Sequence, residues 1–318
     1  MQGLIGLDWG TTQLRAMLFD SSGSVQETRR HPWGIRQLPE GGFDAALASI
    51  CAGWPKAPIL AAGMVGSRQG WRETAYVDTP ASLDALAAGI VTVRSMDDRE
   101  IAIVPGVRDG SGPDMMRGEE TQVFGVLDSY PPTLRDTCML LPGTHSKWVQ
   151  VRDRRIVRIT TMMTGELYAL LRGHSILGAG IPDAPAPSPE TSPFDTAAFE
   201  AGVRTARHSG SAGALTRLFS TRALMLDGRL APSAIPDYLS GLLIGEELRG
   251  ARAAGWLNAG NAPLLVGDEA LCARYSRAIA LFDLPQPVAI ADASARGLWR
   301  IASAATLINQ PVPTYGAS

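Results

Sequence analysis

Apolar residues cluster twice within the first twenty positions, with a polar break between the clusters. Leu4 to Leu7 form a short run, and Asp8-Trp9-Gly10-Thr11-Thr12 interrupts it. From Leu14 the chain alternates, with Leu14, Ala16 and Leu18 on one strand face and Arg15, Met17 and Phe19 on the other. The polar turn DSSGS follows, so the pattern predicts a β-hairpin over residues 4–7 and 13–19, extended by a third strand near Val25. The apolar spacing then becomes helical in FDAALASICAGW. It returns to a buried strand running into a glycine-rich loop in PILAAGMVGS, then reads as helix in ASLDALAAGI, strand in IAIVPGV and helix in GEETQVFGVLDSY.

After Pro131-Pro132-Thr133 the pattern restarts. CMLLPGTHSKWVQVRDRRIV is again strand, Gly-Thr turn, strand and polar turn. In ITTMMTGELYALLRG, Thr164 is placed to N-cap a helix carrying Glu166 in its first turn. The proline-rich residues 181–193 read as a surface loop. DYLSGLLIGEELRGARAAG predicts a long helix in which Gly241 and Gly245 mark close helix packing, and Gly297 farther on has the same reading. Two strand–helix units, APLLVGDEALCARYSRAIALF and PVAIADASARGLWRIASAATLI, close the chain. Strands and helices alternate, which predicts the α/β class. The hairpin with a Gly-Thr turn occurs once in each half, which predicts a duplication: two related α/β domains facing across a cleft.

Composition narrows the function. With 318 residues, 45% of them hydrophobic, the chain can bury two domain cores. The net charge of −2 and an aromatic content of 6% leave no basic field or stacking platform for nucleic acid. Three dispersed cysteines, Cys51, Cys138 and Cys272, suit a reducing compartment and neither a disulfide framework nor a zinc site. The N-terminus lacks a basic stretch and meets an acid at Asp8, and no apolar run reaches membrane-spanning length, so the expectation is a cytoplasmic protein away from membranes. A homodimer is the base-rate expectation.

The two Gly-Thr turns carry the chemistry. Glycine allows a positive φ and close approach to the backbone, and successive turn N–H groups hold phosphate oxygens. Gly10-Thr11-Thr12 and Gly143-Thr144-His145-Ser146-Lys147 both fit, each after a buried strand, and together would clamp a polyphosphate from two sides. Asp8 then stands where Mg²⁺ or its water shell would meet those phosphates, or it only caps the turn. Lys147 reads equally as a phosphate contact or a solvated strand residue. No GxxxxGK[ST] loop, serine elbow or transition-metal cluster is present in the sequence.

DWGTTQLRA, GMVGSRQGW, RGEETQVFG, LPGTHSKW, TGELYALL and VGDEALCARY together resemble the 2-dehydro-3-deoxygalactonokinases, sugar-acid kinases of the actin-like ATPase superfamily. The resemblance runs from residue 4 to about residue 305. It implies two ribonuclease-H-like domains around a central cleft, residues 1–130 for sugar acid and phosphate and residues 136–318 for nucleotide. It also implies ATP and Mg²⁺ as cofactors and phosphorylation of the C6 hydroxyl of 2-dehydro-3-deoxy-D-galactonate.

Phosphoryl transfer needs a group that orients the nucleophile and takes its proton. In broader sugar kinases resembling this chain a Gly-Asp-Gln run supplies it, and here Gly118-Glu119-Glu120 stands in that place. Glu119 is the first choice, Glu120 the second and Asp114 the third; the other reading is that the glutamates favour a helix N-terminus. For the substrate carboxylate Arg68 comes first, with Ser67 and Gln69 as hydrogen-bonding neighbours and Trp71 as a flat wall; Arg15 and Arg117 are rivals. Gly267-Asp268 opens a helix after a short strand, and the resemblance implies nucleotide contact there, against an ordinary strand-to-helix turn. The competing functions are a phosphatase or NTP hydrolase on the same scaffold, and a non-catalytic sugar-acid sensor or filament-forming relative.

Overall fold

The computed structural model describes residues 3–129, 136–181, 194–257, 260 and 262–308. The proline-rich stretch expected as a surface loop lies, from residue 182 on, outside the described residues. The first half runs β1 (Leu4–Trp9), β2 (Leu14–Phe19), β3 (Val25–His31), α1 (Gly42–Ile50), β4 (Ile59–Gly63), β5 (Tyr76–Asp78), α2 (Leu83–Ala88), β6 (Val91–Arg94), β7 (Glu100–Ile103), β8 (Gly106–Asp109), β9 (Asp114–Met116) and α3 (Glu119–Ser129). The second half runs β10 (Asp136–Leu141), β11 (Ser146–Arg152), β12 (Arg155–Met162), α4 (Thr164–His174), α5 (Thr196–Arg207), α6 (Ser220–Leu226), α7 (Ile235–Ala253), β13 (Leu264–Val266), α8 (Glu269–Ala280), β14 (Ala289–Ile290) and α9 (Ala293–Ala304).

Two sheets share one plan. The first has the order β3-β2-β1-β4-β7-β6 and the second β12-β11-β10-β13-β14. In each, three sequential strands lie side by side, and the earliest of them then pairs in parallel with a later strand, β1 with β4 and β10 with β13. The duplication read from the Gly-Thr hairpins is therefore a repeat of topology. A third, small sheet, β5-β8-β9, was not foreseen. IAIVPGV, read as one strand, is split between sheets: β7 ends before Pro105, which has no N–H for a ladder, and β8 begins after it. Residues 196–226, for which the periodicity gave no element, hold α5 and α6.

The chain forms two compact units, residues 1–137 with 149–160 and 292–318, and residues 138–148 with 161–291. In the first unit, Ile5, Leu7 and Trp9 pack under α1 with Leu47 and Ile50. The opposite face of β1 and β2 is covered too. Met17 and Phe19 are buried and Phe19 packs on Trp299 of α9, so both faces of the hairpin are covered. Helix α9 crosses α3 at two glycines: a Cβ on Gly125 would lie 1.9 Å from the Ala293 carbonyl oxygen, and one on Gly297 would lie 1.8 Å from that of Thr121. In the second unit α5 and α7 meet in the same way, since a Cβ on Gly241 would lie 2.0 Å from Phe199 O and one on Gly245 2.8 Å from the Ala206 methyl. The packing roles expected for Gly241, Gly245 and Gly297 hold.

Gly125→Ala is expected to lower stability by about 1–3 kcal/mol, because the helices must move apart to admit the methyl group. Urea denaturation measures it, and an unchanged midpoint would contradict so close a crossing.

Candidate active site

In the first unit the candidate residues gather at the carboxyl ends of β1 and β4. Along β1, Leu4, Gly6 and Asp8 share the face toward α9. Gly6 leaves room for Leu298, and Asp8, one step further out, stays half-exposed. Its carboxylate accepts a 2.7 Å bond from Arg15, its register partner on β2. Arg15 is thus engaged with Asp8, which weakens its claim on a substrate carboxylate.

The turn after β1 is held from behind. Ile35 and Arg36 N–H donate to the carbonyls of Gly10 (3.1 Å) and Thr11 (3.2 Å), and Gly34 packs on the Thr11–Thr12 backbone. Among the described residues, the N–H groups of Thr11 and Thr12 have no partner, which suits an anion. Gly10 does not use a positive φ, so its value lies in the missing side chain.

The end of β4 brings in the distant motifs. Gly63, at φ +97°, leaves no space for a Cβ, which would lie 2.8 Å from Trp9 O. Gly118, at φ +111°, sits against the Gly63 backbone. Close approach of two glycines therefore seats the start of α3 beside the strand ends. Beyond Gly63 a 3₁₀ turn leads to Ser67, whose Oγ donates to Met64 O at 2.7 Å, and to Arg68 and Gln69, which are exposed and have no side-chain partner among the described residues. Trp71 stacks on Phe43, 5.4 Å between ring centres, and meets Trp9 edge-on, so one of its faces belongs to the core. Arg117 is corrected to a structural role. Its guanidinium donates to the Thr74 hydroxyl and carbonyl and lies 4.3 Å over the Tyr76 ring, clamping the loop that carries Arg68.

The two glutamates divide. Glu120 is fully buried, and both its oxygens accept the Gly118 N–H, at 2.8 and 2.7 Å. Burial first, and the neighbouring Glu119 charge second, push its carboxyl up to about 8. Glu120 therefore closes the helix start, the structural alternative raised for this pair, and is corrected from catalytic candidate to anchor. Glu119 is half-buried and accepts the Arg117 N–H at 3.1 Å. Asp114 opens β9 in the small sheet and accepts the Met115 N–H.

In the second unit the turn after β10 lies beside the loop after β13. A Cβ on Gly267 would be 3.6 Å from Pro142 O, and Gly267 takes φ +150°. Asp268 caps α8, accepting the Leu271 N–H at 3.0 Å, so its carboxylate is a helix cap. Thr144 and His145 are exposed, and their N–H groups have no partner among the described residues. Gly143, also without positive φ, faces open space where a Cβ would stand. Glu166 braces this turn, its N–H on Thr144 O at 2.9 Å and its carboxylate on His145 Nε2.

Two of the expected phosphate ligands have side chains turned away from solvent. Ser146 is fully buried with its hydroxyl 3.0 Å from Tyr275 OH, and Lys147 is buried with Nζ donating to Thr161 at 2.7 Å. As neighbours at the start of β11 they point to opposite faces of the sheet, and both faces are covered there, Ser146 by Tyr275 of α8 and Lys147 by packing beside Thr161 of β12. Thr164 is not the N-cap of α4; Met163 holds that position, and the Thr164 hydroxyl donates to Glu247 instead. Glu247, which the sequence reading missed, also accepts from Trp148 and Tyr275. The Glu246-Glu247 pair within α7 was the available signal, but nothing in it separates the inward acid from the outward one.

Known proteins decide the family. A sequence profile of the 2-keto-3-deoxy-galactonokinases matches residues 8–301. The chain belongs to the 2-keto-3-deoxy-galactonokinase family. It is 36% identical over 278 residues to the 2-dehydro-3-deoxygalactonokinase of Escherichia coli (strain K12), covering 86% of this chain and 88% of that protein. A solved structure from Sinorhizobium meliloti, described as that of a candidate 2-dehydro-3-deoxygalactonokinase, superposes with a TM-score of 0.84 at 35% identity, over 95% of this chain and 98% of that one. Component A of (R)-2-hydroxyglutaryl-CoA dehydratase from Acidaminococcus fermentans, 10% identical over 96% of this chain and all (100%) of its own, shares the fold alone at a TM-score of 0.50. The α/β actin-like ATPase fold expected from the family resemblance is the one found. Among the described residues no three His, Cys, Asp or Glu side chains form a metal cluster, and no helix is long and apolar enough to cross a membrane.

The raised Glu120 pKa fixes a sign. Below its ordinary value of 4.5 the group is protonated folded or unfolded, and its contribution to stability is fully present. As pH rises toward about 8 the unfolded chain gives up the proton first, and that contribution is lost. Thermal unfolding across this window should show a steeper decline for the wild type than for Glu120→Gln; equal slopes would contradict the buried placement.

Proposed function

We propose that this chain transfers the γ-phosphate of ATP to the C6 hydroxyl of 2-dehydro-3-deoxy-D-galactonate, giving the 6-phosphate and ADP, within galactonate catabolism. The family match over residues 8–301 is the observation that carries the reading. The C6 oxygen attacks phosphorus, the bond to the ADP oxygen breaks, and the hydroxyl proton passes to a base. Glu119 is that base. It is the accessible one of the two glutamates, and its backbone is pinned by the Gly118–Gly63 contact at the end of β4, where Gly63 lies against Trp9.

Arg68 binds the substrate carboxylate through its planar fork, with Gln69 beside it for hydroxyl groups and the edge of Trp71 bounding the space. Thr11 and Thr12 in the first unit, and Thr144 and His145 in the second, offer backbone N–H groups to phosphate oxygens. The missing side chain at Gly267 leaves room for the nucleotide. The first unit takes the sugar acid and the second the nucleotide.

Mg²⁺ fits the donor set: a single half-exposed carboxylate, Asp8, suits an ion that keeps most of its water and takes its other ligands from phosphate. When bound, it neutralises phosphate charge. Asp8 would meet its water shell, with Arg15 holding the Asp8 carboxylate through their 2.7 Å pair. A cytoplasmic homodimer is the setting this reading takes.

Glu119→Gln should lower kcat by at least about a hundredfold while ATP binding stays near normal. Arg68→Ala should raise KM for the sugar acid by about tenfold or more and leave KM for ATP almost unchanged. A coupled ADP-release assay over a panel of 2-keto-3-deoxy sugar acids reads both. ADP release that ignores the sugar acid would replace the kinase by a hydrolase, and full activity in Glu119→Gln would remove its role as base.

A further inference from the structure

We propose that Glu247 is a positioning residue for the nucleotide phosphates, fixing the Gly143–Ser146 turn and the start of α4 from beneath. The inference rests on the kinase reading above.

Glu247 lies on α7 and is 3% exposed. Its Oε1 accepts the Trp148 indole N–H at 2.9 Å; its Oε2 accepts the Tyr275 hydroxyl at 2.6 Å and the Thr164 hydroxyl. The single phenolic proton of Tyr275 is therefore committed to Glu247. Ser146, 3.0 Å from the same phenol, must then be the donor in that contact. One carboxylate thus orders the hydroxyls of three elements, β11, α4 and α8.

Two of those hydroxyls belong to segments that shape the turn. Ser146 is its last residue. Thr164 is followed directly by Gly165, whose backbone packs on Gly143 O, and by Glu166, which holds Thr144 and His145. A shift at Glu247 therefore reaches the turn at both ends, and the N–H groups of Thr144 and His145 lie between them. Burial raises the Glu247 carboxyl above its ordinary value, against the lowering effect of its donors, and well-packed apolar side chains replace buried charged groups at little cost in other cores. The adjacent Glu246 faces elsewhere, paired with Arg249 at 2.6 Å and accepting the Ala214 N–H, and serves as the control.

The experiment uses the full chain, with steady-state kinetics in both substrates and calorimetric binding of a non-hydrolysable ATP analogue. Glu247→Gln keeps the size of the side chain and is expected to raise KM for ATP and Kd for the analogue about tenfold, leaving KM for the sugar acid unchanged. Tyr275→Phe and Thr164→Val, each removing one hydroxyl, should move the same two constants in the same direction by about threefold, and they decide the matter if Glu247→Gln fails to fold. Glu246→Gln should leave them alone. If both KM values rise together, or if the folded variants bind the analogue as the wild type does, Glu247 is a core residue and nothing more. A wild type that binds no ATP analogue overturns the kinase reading itself, and this inference with it; normal wild-type binding with an unaffected Glu247→Gln overturns only the inference.

Discussion

The parallel pairing of β1 with β4, and of β10 with β13, is the constraint on which the rest depends. A parallel pair needs a long crossover, so the next strand returns to the same end and the loops after both strands open side by side. In the first unit this puts the Asp8–Thr12 turn next to the Gly63–Gln69 loop. In the second it puts Pro142–His145 next to Gly267. Residues more than fifty positions apart in the first unit, and more than one hundred in the second, become neighbours through the ladder alone.

Glycine sets how close those neighbours come. Gly63 and Gly118 meet backbone to backbone, and any side chain at Gly63 would strike Trp9 O. The start of α3 is thereby held against the strand ends, and Glu119 is carried there with it. Arg117, one residue before Gly118, turns the other way and clamps the loop of Arg68 through Thr74. Catalytic and substrate-binding candidates are thus fixed by one short run of residues.

Among the described residues each unit also buries a carboxylic acid whose pKa is raised, Glu120 in one and Glu247 in the other. A buried carboxyl is costly unless donors surround it, and donors surround both. Glu120 takes the Gly118 N–H and locks a helix start. Glu247 takes three side-chain donors and locks β11, α4 and α8 together. Both acids work on the backbone geometry of a neighbouring loop, and neither faces solvent.

By itself the sequence determined the α/β class, the repeated hairpin with its Gly-Thr turn, the family, and which stretches are candidates for the chemistry. These follow from local periodicity, turn residues and short motifs, all of which act over a few positions. Tertiary structure decided which member of each stretch faces outward. Ser146 and Lys147 read as phosphate ligands but are both covered where β11 starts, Glu120 is buried while Glu119 is not, and Arg15 and Arg117 are engaged by Asp8 and Thr74. Thr164 reads as a helix cap, but its hydroxyl donates a hydrogen bond to Glu247, 83 residues away. Side-chain direction at the ends of strands and helices depends on what packs there from distant parts of the chain, and no local pattern encodes that.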